Sequence, residues 1–290
     1  MKKRVVVLAN KHAGTKLRFF WVNRILRKKL KKEKIDFIKY SKIEEVPEKE
    51  LRKNTDYMII MGGDGTLNFV ANYLYKLKIK IPLGIIPVGS SNVFAQAVGI
   101  PLAARRAIKV ALKKETKLVP VGIVNNEKVF LVAATTGVHS DLMAQTPRKV
   151  KMAIGQIAYF FRLPLHLMRI KKHKYDLEIP GQGKVQVKAS AIFIINSLPK
   201  IYRGVFKRIS SFEPKLYTLL VESARPVEVV KTFNAMYIQR HNPVKGVRYF
   251  ESSVVRLESK KAPLSVDGEL IKAKKIEAVI NNNFFQFKLP

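Results

Sequence analysis

The string Gly62-Gly63-Asp64-Gly65-Thr66 follows an apolar run and precedes a helical pattern. Glycines let the backbone approach a ligand closely, and the N–H groups at a helix start bind phosphate oxygens. A carboxylate such as Asp64 can hold magnesium or a phosphate-bound water, and the Thr66 hydroxyl can cap the helix or donate to phosphate. The string predicts a nucleotide-phosphate site, with an ordinary strand-to-helix turn as the alternative.

A second small-residue loop, Gly89-Ser90-Ser91-Asn92, follows the next apolar run. Neither of the two common phosphate-binding patterns, G-x-x-x-x-G-K-[ST] and G-x-G-x-x-G, occurs in the chain. The two loops are therefore candidates for a nucleotide site of another kind.

Asp267 and Glu269 flank Gly268 near the end of the chain. A carboxylate at such a position can orient a hydroxyl and accept its proton. On an extended segment the two carboxylates would point the same way. The alternative is a polar Asp-Gly turn in an antiparallel hairpin.

The first 120 residues alternate strand and helix patterns, which predicts a doubly wound parallel α/β sheet. Ligands of such sheets bind beyond the carboxyl ends of the strands. Four strands are predicted, at 4–9, 35–40, 57–61 and 83–87. The helix after Thr15 is predicted to bury one apolar stripe, formed by Leu17, Trp21, Val22, Ile25, Leu26 and Leu30.

After residue 122 the pattern changes to strands with few helices between them, which predicts a second, mainly antiparallel β domain. The predicted strands are 129–136, 174–179, 185–196, 217–221, 247–257 and 274–280. We therefore expect a nucleotide-binding domain at 1–122 and a β-rich substrate domain at 123–280. Residues 281–290 are expected to pack back on the first domain.

The chain has 290 residues, with 55 Lys and Arg against 21 Asp and Glu, a net charge of +34. That balance predicts a polyanionic partner. The absence of cysteine excludes disulfides and thiolate metal sites, and no apolar run has the length of a membrane span.

The order of several motifs resembles the diacylglycerol-kinase catalytic family, whose members include bacterial lipid kinases and sphingosine kinases. The blocks that carry the resemblance are Ile60–Asn68, Leu83–Ala95, Thr146–Lys151, Gly155–Tyr159 and Val266–Glu269. The resemblance implies an N-terminal domain like those of NAD kinases and phosphofructokinases. It also implies ATP and Mg²⁺ as cofactors, and phosphorylation of a lipid hydroxyl, with diacylglycerol giving phosphatidic acid as the default reaction.

Site residues follow from the same resemblance. Asp267 would be the general base with Glu269 beside it, and Asp64 would bind the metal. The implied nucleotide contacts are Asn10, Gly14, Ser41, Gly62, Gly63, Asp64, Gly65, Thr66, Ser90 and Asn92.

Three positions lack a carboxylate that the family usually carries, namely Phe69, Val93 and Pro214. They leave a second interpretation open, a catalytically weakened relative that binds nucleotide or lipid. Another kinase of the same superfamily, such as an NAD kinase, is a third.

The segment from Leu142 to Tyr175 contains no acidic residue and carries cations around the apolar run 157–168. Such a segment is typical of binding to an anionic membrane surface, although a core helix with solvated cations explains it too. We expect a cytoplasmic protein, peripheral at the inner face of the cell membrane, with ATP and a lipid as partners. A homodimer is a further option. Nucleic acid is not an expected partner, because aromatic residues are not interleaved with the basic runs.

Overall fold

The computed structural model describes residues 4–137, 171–199, 209–225, 227–228 and 246–290. The predicted membrane-binding segment at 142–175 lies outside these residues, apart from its last five positions. The chain divides into two compact units, Met1–Pro120 with Asn282–Pro290, and Val121–Asn281. Among the described residues, no helix is long and apolar enough to cross a membrane.

The first unit contains a six-stranded sheet with helices between its strands. With strands numbered along the whole chain, these are β1 Arg4–Ala9, β2 Asp36–Tyr40, β3 Tyr57–Gly62, β4 Leu83–Pro87, β5 Lys117–Leu118 and β18 Gln286–Phe287. The helices are α1 Lys16–Lys32, α2 Glu48–Lys53, α3 Asp64–Lys76, α4 Val93–Ala97 and α5 Ala104–Ala111, with a 3₁₀ turn at Ile43–Glu45.

The strand order is β2-β1-β3-β4-β18-β5, and all neighbours except β18 and β5 are parallel. Strands β3 and β4 are buried along their whole length, as expected for strands covered on both faces. The predicted parallel α/β class is confirmed for this unit. Because the sheet is parallel, the loops that follow β1, β3 and β4 meet at one edge.

The predicted apolar stripe of α1 is wrong in its composition. Val22, Leu26 and Leu30 are buried and lie four residues apart on one face. Leu17 and Trp21 lie on the opposite face and are 72% and 60% exposed. The predicted stripe therefore included residues from two different faces of the helix.

The second unit consists of two six-stranded antiparallel sheets, as predicted for its class. The first has the order β10-β9-β14-β17-β6-β7 and the second β13-β12-β11-β8-β15-β16. Their bounds are β6 Val121–Val124, β7 Lys128–Phe130, β8 Ala133–Gly137, β9 His173–Ile179, β10 Gly183–Ala189, β11 Ala191–Ile195, β12 Leu216–Val221, β13 Val247–Ser252, β14 Val254–Ser259, β15 Leu264–Val266, β16 Glu269–Ile271 and β17 Lys275–Asn281. Buried side chains from both sheets form one core.

Three predicted single strands are each two strands that belong to different sheets. The breaks fall between β7 and β8, at Ser190 between β10 and β11, and at Ser253 between β13 and β14. At the second break both the N–H and the hydroxyl of Ser190 donate to the carbonyl of Val221. Both halves of each run contribute to apolar packing, so the apolar pattern alone does not reveal the change of sheet, although serines stand at two of the three breaks.

Substitution of Gly122 by alanine is expected to destabilise the second unit. Gly122 pairs with Phe130 across β6 and β7, and a Cβ at this glycine would lie 2.0 Å from Cζ of the fully buried ring. Overpacking of this kind costs about 1–3 kcal/mol of unfolding free energy. Chemical denaturation of Gly122→Ala measures the loss.

The double variant Gly122→Ala/Phe130→Leu tests the cause. If the ring is the obstacle, the double variant loses less stability than the sum of the two single variants. Additive losses would contradict it.

Candidate functional site

The two glycine loops touch each other at the carboxyl edge of the first sheet. Gly62 at the end of β3 pairs with Pro87 of β4, and the N–H of Val88 donates to the carbonyl of Gly62 at 3.0 Å. A Cβ at Gly89 would lie 2.6 Å from Cα of Gly63, inside any normal contact. The absence of both side chains is what lets these backbones approach.

Asn92 holds the second loop closed. Its Oδ1 accepts from the N–H of Gly89 at 3.0 Å, and its Nδ2 donates to the carbonyl of the same residue at 2.7 Å. The side chain is buried, and the backbone has φ +50°, a conformation that asparagine tolerates better than most residues. Asn92 is thus a loop-positioning residue.

The loop after β1 reaches the same edge. The N–H of Asn10 donates to the carbonyl of Met61, and its Nδ2 donates to Oγ1 of Thr66 at 2.9 Å. Gly14 has φ +70°, and a Cβ there would lie 1.9 Å from the carbonyl oxygen of Val88. Three loops are therefore joined by backbone contacts and by one amide–hydroxyl bond.

The start of α3 faces this junction. Its N-cap residue, Gly63, offers no side chain to the first-turn N–H groups, and a Cβ at Gly65 would meet nothing within 4 Å. Because Oγ1 of Thr66 accepts from Asn10, the Thr66 hydroxyl keeps its own proton as a donor. A Cβ at Gly62 would collide with the Thr66 side chain at 2.6 Å, so this glycine leaves room for the hydroxyl. Ser90 is exposed beside these groups.

The carboxylate of Asp64 accepts hydrogen bonds from the main chain. Its Oδ1 accepts from the N–H of Phe94 at 3.1 Å, at the start of α4. Burial raises the pKa of the Asp64 carboxyl above its ordinary value, against hydrogen bonds from the backbone of residues 92, 93, 94 and 64 that lower it. Among the described residues, no group of three or more His, Asp or Glu side chains that could hold a metal ion is found. The assignment of Asp64 as a magnesium ligand stays a prediction.

Ser41 follows β2, the strand at the outer edge of the sheet. Its N–H donates to the carboxylate of Glu45 at 3.1 Å, and the residue is exposed. Since β2 neighbours β1 in parallel, Ser41 lies at the same edge as Asn10. Its contact with a nucleotide stays a prediction.

Asp267 in the second unit does not lie on an extended segment. Residues 267 and 268 form a two-residue turn with φ +46° and +84°, and Val266 pairs with Glu269 across it. The alternative reading of Asp-Gly as a hairpin turn therefore describes the local structure. The extended segment on which both carboxylates would point the same way does not form, because the turn separates them.

The carboxylate of Asp267 accepts three main-chain N–H groups. Leu131 donates to Oδ2 at 2.7 Å, while Val132 and Ala133 each donate to Oδ1 at 2.9 Å. In turn the N–H of Asp267 donates to the carbonyl of Ala133. Glu269 is largely exposed and pairs instead with Lys128 at 2.8 Å. Asp267 is fixed in place, whereas its neighbour is held only by a surface ion pair.

The sequence argument missed the groups that hold these carboxylates. The residues that donate to Asp267 belong to a stretch whose side chains are apolar, and the contact uses only their backbone. No residue type reports such a contact. Gly89 was recognised as part of a loop, but its closeness to Gly63 required the pairing of β3 with β4.

The raised pKa of Asp64 predicts a pH-dependent contribution to stability. The folded chain holds this proton to higher pH than the unfolded chain, whose carboxyl titrates near 3.8. The contribution is complete below that pH and is lost as pH rises through the folded pKa. Asp64→Asn removes this pH-dependent contribution, because an amide does not titrate in this range. The amide oxygen can still accept from the N–H of Phe94.

Denaturation of both proteins from pH 3.5 to 7 checks this prediction. The stability of Asp64→Asn relative to wild type should rise with pH. Asp36→Asn, which removes an exposed carboxylate from the same unit, controls for net charge. Parallel curves for wild type and Asp64→Asn would contradict the prediction.

The sequence model of the diacylglycerol kinase catalytic domain family matches residues 4–124. A probable lipid kinase YegS-like protein from Klebsiella pneumoniae is 37% identical over 134 residues, 46% of this chain and 44% of the relative. A diacylglycerol kinase from Bacillus subtilis is 28% identical over 223 residues, 74% of this chain and 71% of the relative. The match to the first relative thus spans less than half of that protein's length.

Solved structures share the fold across the chain. A diacylglycerol kinase from Bacillus anthracis has a TM-score of 0.72 at 16% identity, covering 100% of this chain and 97% of that one. An NAD kinase from Archaeoglobus fulgidus in complex with ATP has a TM-score of 0.53 at 16% identity, covering 99% and 93%. Together with the sequence matches, these confirm the resemblance that the motifs predicted: residues 4–124 carry the pattern of the diacylglycerol kinase catalytic domain family.

Proposed function

We propose that this protein is an ATP-dependent lipid kinase that transfers the γ-phosphate to a lipid hydroxyl, with diacylglycerol as acceptor and phosphatidic acid as product. The observation that carries the proposal is the joining of three backbone loops at one sheet edge, next to an N-cap without a side chain. The similarity of residues 4–124 to the catalytic-domain family supports the same reaction.

The geometry of the first unit supports the binding of phosphate. Gly63 and Gly65 leave the N–H groups at the start of α3 uncovered by side chains, and the helix N-terminus attracts negative charge. Thr66 adds a hydroxyl donor whose direction is set by the bond from Asn10. These groups neutralise and orient the phosphates, which is most of what phosphoryl transfer requires of a protein.

Asp267 is the proposed acceptor of the proton from the lipid hydroxyl. Three N–H donors keep its carboxylate in one orientation. They also stabilise its negative charge, so the group is a positioned acceptor. Its task is then mainly to orient the hydroxyl, because a dissociative transfer needs little proton removal before the phosphoryl group moves. Magnesium would enter as a partner of ATP, with Asp64 as its proposed protein ligand.

The hydrogen bonds of Asp267 also favour an alternative, in which the residue only builds the turn and the chain binds nucleotide or lipid without turnover. The missing carboxylates at Phe69 and Val93 point the same way. Phe69 is 49% exposed on α3, and Val93 is buried at the start of α4. An NAD kinase would differ from the lipid kinase and from the binding protein because it phosphorylates NAD.

The deciding experiment measures transfer of label from γ-labelled ATP to lipid in vesicles that contain diacylglycerol and phosphatidylglycerol. NAD and sphingosine replace diacylglycerol in parallel reactions. Labelled phosphatidic acid is the expected product. Labelled NADP would assign the chain to the other kinase class. Bound ATP without any labelled product would favour the binding protein.

Asp267→Asn is expected to lower the rate at least about a hundredfold, the usual contribution of a positioned acid or base. The asparagine also places an NH₂ group among three N–H donors, so some loss of stability is expected. Ser265→Ala is the matched control, because Ser265 lies in the same hairpin as Asp267. The variant removes a buried 2.7 Å hydroxyl contact with Thr135 of β8 and keeps the carboxylate. Equal rates for the two variants at equal folded fraction would exclude Asp267 from the reaction.

Gly89→Ala is expected to weaken ATP binding at least about tenfold. Its Cβ would lie 2.6 Å from Cα of Gly63 and 2.9 Å from Oδ1 of Asn92, so the two loops must separate. Gly99→Ala serves as control, since φ is +83° and its Cβ meets nothing within 4 Å. It strains the backbone of the same unit without moving the loops. Calorimetric titration with ATP compares the two, and unchanged affinity in Gly89→Ala would remove the loop contact from the site.

A further inference from the structure

Helix α1 has a buried apolar face and an exposed face that is partly apolar. Val22, Leu26 and Leu30 pack into the first unit. The outer face, at a spacing of four, three and four residues, carries Leu17, Trp21, Arg24 and Lys28, and all four are exposed. We use the name α1 outer face for these four residues together with Phe20.

The N-terminal half of the α1 outer face is apolar. Leu17 is 72%, Phe20 61% and Trp21 60% exposed, and they fall on adjacent turns of one helix. Leu102, 41% exposed, lies close to the same end, because Nη2 of Arg18 donates to its carbonyl and to that of Pro87. Three large exposed side chains on successive turns are unusual on a soluble surface and mark an interaction site.

The C-terminal half of the same face is cationic. Arg24 and Lys28 continue the stripe, and α5, which packs beside α1, exposes Arg105, Arg106 and Lys109. Neither Lys16–Lys32 nor Ala104–Ala111 contains an acidic residue. The nearest acid along α1 is Glu33, which pairs with Lys29 at 2.8 Å.

We propose that the α1 outer face docks the protein on an anionic lipid bilayer, with Leu17, Phe20 and Trp21 entering the interface and the cations of α1 and α5 contacting headgroups. Tryptophan favours the membrane–water boundary because its ring is apolar and its N–H is polar. Basic residues near an anionic surface add attraction of about 1 kcal/mol each. A face with both features binds more tightly than either half alone.

Charge selects the bilayer over the other candidate occupants. A second copy would bring the same cationic face against itself in a two-fold dimer, which like charges oppose. Single-stranded nucleic acid requires aromatic rings interleaved with cations along a groove. Here the rings occupy one end of the helix and the cations the other, which suits a boundary between an apolar layer and a charged one.

The position of the face connects docking to the candidate nucleotide site. Helix α1 begins directly after Gly14, whose backbone contacts the carbonyl of Val88, and Thr15 caps it by accepting from the N–H of Arg18. The apolar end of the helix is therefore the end nearest the three joined loops. The lipid identity of the substrate rests on the proposed function, whereas binding of the bilayer does not.

Trp21 makes the proposal directly measurable, because it is the one tryptophan in the chain. Its emission is recorded with vesicles of phosphatidylcholine alone and with vesicles that also contain phosphatidylglycerol. We expect a shift to shorter wavelength with the anionic vesicles, and quenching by lipids brominated near the headgroup. Added salt should reduce binding, since surface charges are screened. Co-sedimentation measures binding independently of the probe.

Two variants separate the halves of the face and keep the probe. Leu17→Ser/Phe20→Ser should weaken binding to anionic vesicles at least about tenfold, because the apolar area is lost. Arg24→Gln/Lys28→Gln should weaken it about ten- to thirtyfold. The controls are Phe212→Ser, which removes an exposed ring from the second unit, and Lys260→Gln/Lys261→Gln, which removes the same charge from exposed positions. Both controls should bind like wild type.

Several outcomes would overturn the proposal. Co-sedimentation without any change in Trp21 emission would place membrane binding elsewhere on the protein. An equal emission response to an oligonucleotide would assign the face to polyanions in general, and a response to protein concentration alone would assign it to self-association. Labelled lipid product without a Trp21 response would overturn the docking face and leave the kinase intact. A Trp21 response without labelled lipid product would support the docking face and exclude the kinase.

Discussion

The close approach of Gly63 and Gly89 is the constraint on which the first unit's candidate site depends. Adjacent parallel strands bring the two loops to one edge, but only the missing side chains let the backbones come together. The hydrogen bonds of Asn92 then close one loop, while those of Asn10 attach a third. Because these contacts are made without a ligand, little ordering entropy would remain to oppose the proposed binding of phosphate.

The two aspartates with predicted roles in catalysis share one property, since each carboxylate accepts N–H groups of the main chain. Asp64 joins the start of α3 to the start of α4, and Asp267 joins a hairpin turn to residues 131–133. A carboxylate held in this way is well oriented, but its charge is already partly neutralised. In the proposed transfer, such a carboxylate would contribute mainly through its orientation, because the transition state is stabilised mainly by charge and alignment.

Sequence reasoning succeeded where periodicity or motif order has one structural meaning. The α/β class, the antiparallel second unit and the glycine loops followed from such patterns. It failed where an apolar residue has more than one possible environment. The runs 129–136, 185–196 and 247–257 appeared continuous because each change of sheet keeps apolar residues on both sides of the break. The backbone N–H groups that donate to Asp267 were equally hidden, since a main-chain N–H carries no sequence signature.

The error on α1 is informative for the same reason. Six apolar residues over four turns exceed what one buried face needs, and the surplus had been assigned to the core. Val22, Leu26 and Leu30 satisfy that face completely, so Leu17 and Trp21 have no partner to bury against within the described residues. A chain with +34 net charge has ample cations to keep such a helix soluble. Apolar surplus beside unbalanced charge is what the proposed docking on lipid requires, since such a face places apolar side chains in the membrane interface and cations at the headgroups.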